Sequence, residues 1–165
     1  MPTVARPRIL VVDDRDDTLF AMESALAPLG YPVDRATTGD DALKAVLRGG
    51  IGLVLLDVLM PDVSGLEVAH YMRRLEQTQD IPIMLITGAG QDTKLAAQAF
   101  ELGVADYVSK PIEPWVMRTK VRYLYETSLR MHALRERLRT YENDGAARPA
   151  PPAHAAAGHP LSRPA

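Results

Sequence analysis

The chain has 165 residues, 47% of them apolar, with no cysteine and a formal net charge of −2. That is one domain of ordinary size with enough apolar side chains for a real core, and it excludes both a disulfide framework and a thiolate metal site. The opening MPTVARPR lacks the apolar segment of a signal peptide, and no run approaches the ~20 apolar residues that span a bilayer, so a cytoplasmic protein without membrane association is expected.

RILVV (8–12) reads as a buried strand. TLFAMESALAPLG (18–30) places Leu19, Met22, Leu26 and Leu29 on one helical face and closes on Gly30. PVDRA (32–36) is a short strand, DDALKAVLRGG (40–50) a helix ended by glycine, and GLVLL (52–56) a strand with a helix following within 64–76. IPIMLI (81–86) is the fourth strand, with Pro82 tolerated near its start. DTKLAAQAFELG (92–103) is helical, ADYVS (105–109) is the fifth strand, and a last helix opens near Pro114, a good first-turn residue. Strand and helix alternate five times, and the strands are almost continuously apolar. Such strands belong in a parallel sheet covered on both faces, which predicts an α/β doubly wound five-stranded fold.

After the fifth strand the pattern changes. No breaker occurs from Pro114 to about Glu142, so the last helix is expected to run for about 28 residues, or about 42 Å. That is far longer than a sheet needs for cover. NDGAARPAPPAHAAAGHPLSRPA (143–165) is rich in Ala and Pro and is expected to be disordered. Three segments follow: a folded body over 1–125 whose last helix begins near 113, a helical extension over 126–142, and the tail. Charge divides along similar lines, with 10 Lys/Arg against 16 Asp/Glu over residues 1–112 and 9 against 5 over 113–165. Different partners for the two parts are therefore expected.

In a doubly wound sheet, ligands gather at the carboxyl ends of the strands. Asp13 and Asp14 follow the first strand, Asp57 the third, Thr87 the fourth, and Ser109 and Lys110 the fifth; the second contributes no comparable group. Carboxylate oxygens suit Mg²⁺. A carboxylate can also be a nucleophile toward phosphorus. An ammonium and a hydroxyl can hold phosphoryl oxygens while a metal neutralises charge. Together the rim groups meet the requirements of aspartyl phosphorylation.

With those residues in place, the sequence resembles the receiver domain of two-component response regulators. DD after the first strand, DVLMPDVSG after the third, T after the fourth and KP after the fifth all match, and the likeness covers roughly residues 7–125. The resemblance implies a flavodoxin-like fold and a signalling phosphoacceptor whose only catalysis is its own phosphorylation and dephosphorylation. Asp57 is then the acceptor. Asp13 and Asp14 hold Mg²⁺, Asp14 directly and Asp13 through water, with the Leu59 backbone carbonyl as a further ligand. Thr87 and Lys110 contact the phosphoryl group, Tyr107 occupies the place of a switch aromatic, and the bond before Pro111 is cis. Polar groups two residues past the acceptor and two past the threonine help position hydrolytic water in such domains. Here those residues are Leu59 and Ala89, both apolar, so slow self-dephosphorylation is expected.

Other residues carry blander readings. Asp16 and Asp17 open the first helix, where Asp is a favoured cap and first-turn residue that suits the helix dipole, with metal binding as the rival. Arg15 is read as a solvated charge that softens the surrounding repulsion. Tyr107 is a packed aromatic if it does not switch. His70 and His132 lack ligand-type neighbours in sequence, and TGAG lacks the spacing of a phosphate loop.

Residues 113–165 are too few for a winged helix or a cyclase, so a stand-alone regulator with output through its surface or last helix is expected. Met117, Leu124, Met131 and Leu138 recur every seven residues, with Thr127, Leu134 and Tyr141 between them. That is a coiled-coil seam and suggests a homodimer through 113–142. Arg130 and Arg135 would face each other in a parallel pair, so an acidic partner helix or a solvated distal half stays open. Nucleic-acid binding is not expected, because the basic charge forms no stripe. The upstream partner implied is a sensor histidine kinase, and the downstream protein partner is open. The alternative function is a phosphorelay intermediate that passes phosphoryl to a histidine phosphotransfer protein.

Overall fold

The computed structural model describes residues 5–88 and 93–146. Its elements, in chain order, are β1 (Arg8–Val12), α1 (Asp16–Leu26), a 3-10 turn (Ala27–Leu29), β2 (Val33–Ala36), α2 (Gly39–Arg48), β3 (Ile51–Asp57), α3 (Gly65–Arg74), β4 (Ile83–Thr87), α4 (Thr93–Glu101), β5 (Asp106–Ser109) and α5 (Pro114–Ala146). The five strands form one sheet in the order β2-β1-β3-β4-β5, and every neighbouring pair is parallel. This is the doubly wound α/β architecture that the alternating pattern predicts, with the flavodoxin-like strand order that the resemblance implies.

The period of two along each strand sorts apolar side chains onto the two faces. Leu10 and Val12 of β1, Val54 and Leu56 of β3, and Ile83 and Leu85 of β4 pack with Ala42, Val46, Val68 and Met72 of α2 and α3. Ile9 and Val11, Leu53 and Leu55, and Met84 and Ile86 pack on the other face with Leu19, Met22 and Leu26 of α1 and Met117, Val121 and Tyr125 of α5. β3 lies at the centre and is buried along its whole length, which explains its unbroken apolar run.

Local chemistry sets the element ends. The Thr38 hydroxyl caps α2 by accepting the Asp41 N–H at 3.1 Å. Ser64 and Glu67 form a reciprocal capping box at the start of α3. Gly30 ends the first helical segment at φ +68°, a backbone region that glycine enters without steric cost. β4 starts two residues later than expected and ends on Thr87, which pairs with Ser109 of β5. Pro82 stays outside the strand but still uses its carbonyl, which accepts the Val54 N–H at 3.0 Å.

The chain divides into two units, Met1–His132 and Ala133–Ala165. In the first, α5 buries Met117, Val121 and Tyr125. Met117 is fully buried in the core, so the first position of the expected heptad seam is taken up by the sheet and is closed to a partner. In the second unit, every described residue from 133 to 146 is exposed, and α5 continues through Asn143, Asp144 and Gly145, past the end expected at Glu142. The expected disorder of the tail falls on residues 147–165, outside the described ones, apart from 143–146, which are helical. No helix of the described residues is long and apolar enough to cross a membrane.

Candidate functional site

The parallel ladder delivers three strand ends to one rim. β1 ends at Val12, so Asp13 and Asp14 stand just past it; Asp57 is the last residue of β3. One oxygen from each of these three carboxylates lies within 4.8 Å of the others. Asp13 and Asp57 are 0% and 4% exposed, whereas Asp14 faces solvent. Two buried carboxylates that close repel each other unless a cation stands between them.

Lys110 partly fills that role. Its ammonium lies 3.2 Å from Asp13 Oδ2 and 3.5 Å from Asp57 Oδ2. The Arg15 N–H donates to Asp13 Oδ1 at 2.9 Å, and the Leu59 N–H reaches Asp57 Oδ1 at 3.4 Å. These donors do not balance the site. Burial, reinforced by the charge of Asp13, raises the Asp57 carboxyl to about 6, against the pull of Lys110 and Leu59. The repulsion left over is what a hard divalent cation relieves, and three carboxylates on one rim are the oxygen donors that Mg²⁺ takes. The residues present therefore fit a Mg²⁺ site.

The close approach of α3 shapes the loop that follows β3. A Cβ at Gly65 would collide with the carbonyl of Asp57, and the Gly65 N–H donates to the Val58 carbonyl at 3.1 Å. Gly39, at the start of α2, leaves equivalent room for Val63 of the same loop. Gly65 closes the DVLMPDVSG motif, whereas Gly39 lies outside every quoted motif. The signal for Gly65 was there in SGLE, a capping-box pattern that places it at the first helical position against the strand end.

Thr87 is the last residue of β4, and Tyr107 lies on the neighbouring β5. The Thr87 hydroxyl donates to the Val108 carbonyl at 3.5 Å. The Tyr107 ring is 45% exposed and meets Phe100 edge-on, with centroids 6.5 Å apart. The Leu59 side chain is exposed beside the site, and Ala89 lies outside the described residues. The peptide bond between Lys110 and Pro111 is cis, as the resemblance implied.

Asp16 and Asp17 open the helix as expected, in the first-turn role and not as its cap. Helix α1 begins at Asp16, so Arg15 occupies the cap position, and no side chain makes the cap hydrogen bond. Asp16 and Asp17 are first-turn residues that favour the helix dipole without capping it. Arg15 is an exposed charge that softens the surrounding repulsion, as expected: its guanidinium pairs with Asp17 at 2.8 Å and holds that carboxyl below its ordinary range.

Comparison with known proteins agrees with this arrangement. The family model "Response regulator receiver domain" matches residues 9–122. The transcriptional regulatory protein DltR of Streptococcus agalactiae is 38% identical over 115 residues, covering 70% of this chain and 50% of its own. A probable cyclic di-GMP phosphodiesterase of Vibrio cholerae is 36% identical over 123 residues, covering 73% of this chain and 27% of its own. The chain thus spans half or less of the length of these relatives. Among solved structures, a putative response regulator from Chloroflexus aurantiacus has a TM-score of 0.69 at 30% identity, covering 74% of this chain and 99% of its own. The signal receiver domain of a putative Luxo repressor protein from Vibrio parahaemolyticus has a TM-score of 0.73 at 24% identity, covering 79% and 98%, a likeness of fold.

Proposed function

The chain belongs to the response regulator receiver family, and on that premise we propose that Asp57 accepts a phosphoryl group from the phosphohistidine of a sensor kinase. One observation carries the reading: a buried carboxylate at the end of β3 shares its pocket with the Lys110 ammonium and two further carboxylates. Asp57 titrates near 6, so it is mostly ionised and nucleophilic at neutral pH. An Asp57 oxygen forms the new O–P bond as the P–N bond to the donor imidazole breaks. Lys110, already 3.5 Å from Asp57 Oδ2, is placed to pair with the oxygens of the arriving group. Asp13, Asp14, Asp57 and the Leu59 carbonyl would hold Mg²⁺, which supplies neutralisation of phosphoryl charge when bound.

Phosphorylation adds charge and acceptor oxygens at a rim poised to respond. In this reading the Thr87 hydroxyl leaves the Val108 carbonyl for the phosphoryl group, and the exposed Tyr107 ring turns into the space vacated. The exposed, apolar Leu59 orders no hydrolytic water, which favours a long-lived phosphoryl group. Output runs through the last helix. Its second-unit part exposes Leu134, Leu138 and Tyr141, four and three residues apart, the spacing of a coiled-coil seam. A second copy is the proposed partner, over fewer heptads than the sequence suggested because Met117 lies in the core.

The test is uptake of beryllofluoride with Mg²⁺ by the full chain, followed by light scattering. Wild type is expected to bind and Asp57→Asn to show no binding at all. Failure of wild type to bind removes the phosphoacceptor reading, and binding with no gain in mass removes phosphorylation-driven dimerisation.

A further inference from the structure

Tyr107 sits on β5, an edge strand, and is 45% exposed. Besides the Phe100 edge, Lys120 of α5 holds a position against that ring, with its ammonium 5.5 Å from the centroid. The π face of a tyrosine attracts a cation at that range. A surface lysine ordinarily lets its ammonium wander in water. Here two further partners fix it. Lys120 Nζ donates to Asp106 Oδ1 at 3.0 Å and to the Tyr107 carbonyl at 3.0 Å. The same Asp106 oxygen also accepts the Tyr107 N–H at 2.8 Å, so one carboxylate ties the strand backbone to the ammonium.

We propose that Lys120 is a positioning residue that holds the Tyr107 ring outward and so raises the threshold for the response to phosphorylation. This rests on the reading of Tyr107 as the switching aromatic. Rotation of the ring about its own side-chain bonds leaves the Asp106 carboxylate and the Tyr107 carbonyl where they are. Those two bonds are therefore common to both ring positions and bias neither. The contact with the ring face exists only while the ring is out. A contact present in one state alone shifts the equilibrium by its full worth. For an exposed cation–π contact that is a factor of about 2 to 5 toward the outward ring. Binding that favours the inward ring is opposed by the same factor, because coupling between linked equilibria is reciprocal.

The full chain, labelled with 3-fluorotyrosine and with the Tyr107 resonance assigned by Tyr107→Phe, is titrated with beryllofluoride in Mg²⁺. Lys120→Met keeps the aliphatic stem and removes the charge. It is expected to bind about 2 to 5 times more tightly, the size of the lost contact, and to move the ligand-free Tyr107 resonance toward its bound position. Lys120→Arg keeps a cation over the ring and is expected to match wild type. Unchanged affinity and resonance in Lys120→Met overturn the proposal, as does an equal shift in both variants or a fall in Tm with affinity intact. Should Lys120→Met not fold, Asp106→Asn loosens the same ammonium and is expected to give a smaller tightening; no change there overturns the proposal. Wild type that binds while its Tyr107 resonance stays still refutes the switch, and the latch with it. Wild type that does not bind refutes the phosphoacceptor reading beneath both.

Discussion

The two rims of the sheet use their polar groups in opposite ways. At the amino ends of the strands, polar groups find partners and close the structure. Arg73 alone donates to the carbonyls of Leu102, Gln79, Ile81 and Gly103, tying the loops before β4 and β5 to α3. Tyr125 stacks on Tyr31 at 4.1 Å and donates to the Pro7 carbonyl at 2.7 Å, just before β1. At the carboxyl ends, three carboxylates crowd one lysine and remain out of balance. One rim is finished as folded; the other is left with unbalanced charge. Stability and responsiveness are thus assigned to opposite ends of the same strands.

That contrast breaks if stability and ligand uptake move together. Arg73→Met leaves several carbonyls without their donor and is expected to cost about 2–4 kcal/mol of stability. Urea denaturation measures it, while Mg²⁺-dependent beryllofluoride uptake by the folded variant stays at wild type; a loss of uptake in proportion would join the two rims. At the other rim, Asp57→Asn is expected to stabilise. Asp57 gains its proton near 6 when folded, against ~4 when unfolded. A raised acid pKa favours the fold only while the group is protonated, so the ionised Asp57 works against it. At pH 7.5 in EDTA the asparagine variant is expected to be more stable by about 2 kcal/mol, an advantage that shrinks as pH falls through 6 and is gone near 4. Mg²⁺ is expected to narrow the gap at pH 7.5, and denaturation with and without it is the check. The smallest effect is Tyr125→Phe, which removes one hydrogen bond and keeps the stacked ring. About 1 kcal/mol of stability is expected to go, with uptake unchanged.

The responsive rim was more legible in the sequence than the finished one. Asp13, Asp14, Asp57 and Lys110 each follow an apolar strand directly, and a parallel sheet has nowhere to send such ends except together. The bonds of Arg73 could not be read that way. In sequence it is a basic residue in the last turn of a helix, and its acceptors lie between six and thirty positions away. The burial of the first heptad position of α5 was hidden for a different reason. Seven-residue spacing marks an apolar face without saying whether a sheet or another helix covers it, and at Met117 the sheet does. For Asp16 and Asp17 the sequence leaves two roles open, because Asp is favoured both as a cap and in the first turn. Only the backbone decides which, and here the helix starts at Asp16.

Gly65 has a consequence for how such chains are compared. The start of α3 touches the Asp57 carbonyl across a gap too small for a methyl group. A survey that scores only the reactive side chains would pass a sequence with alanine at 65 as intact, although no route is left for the helix to approach the strand end as it does here. Competence in this pocket is written partly as a missing atom, and a catalogue of functional groups has no column for that.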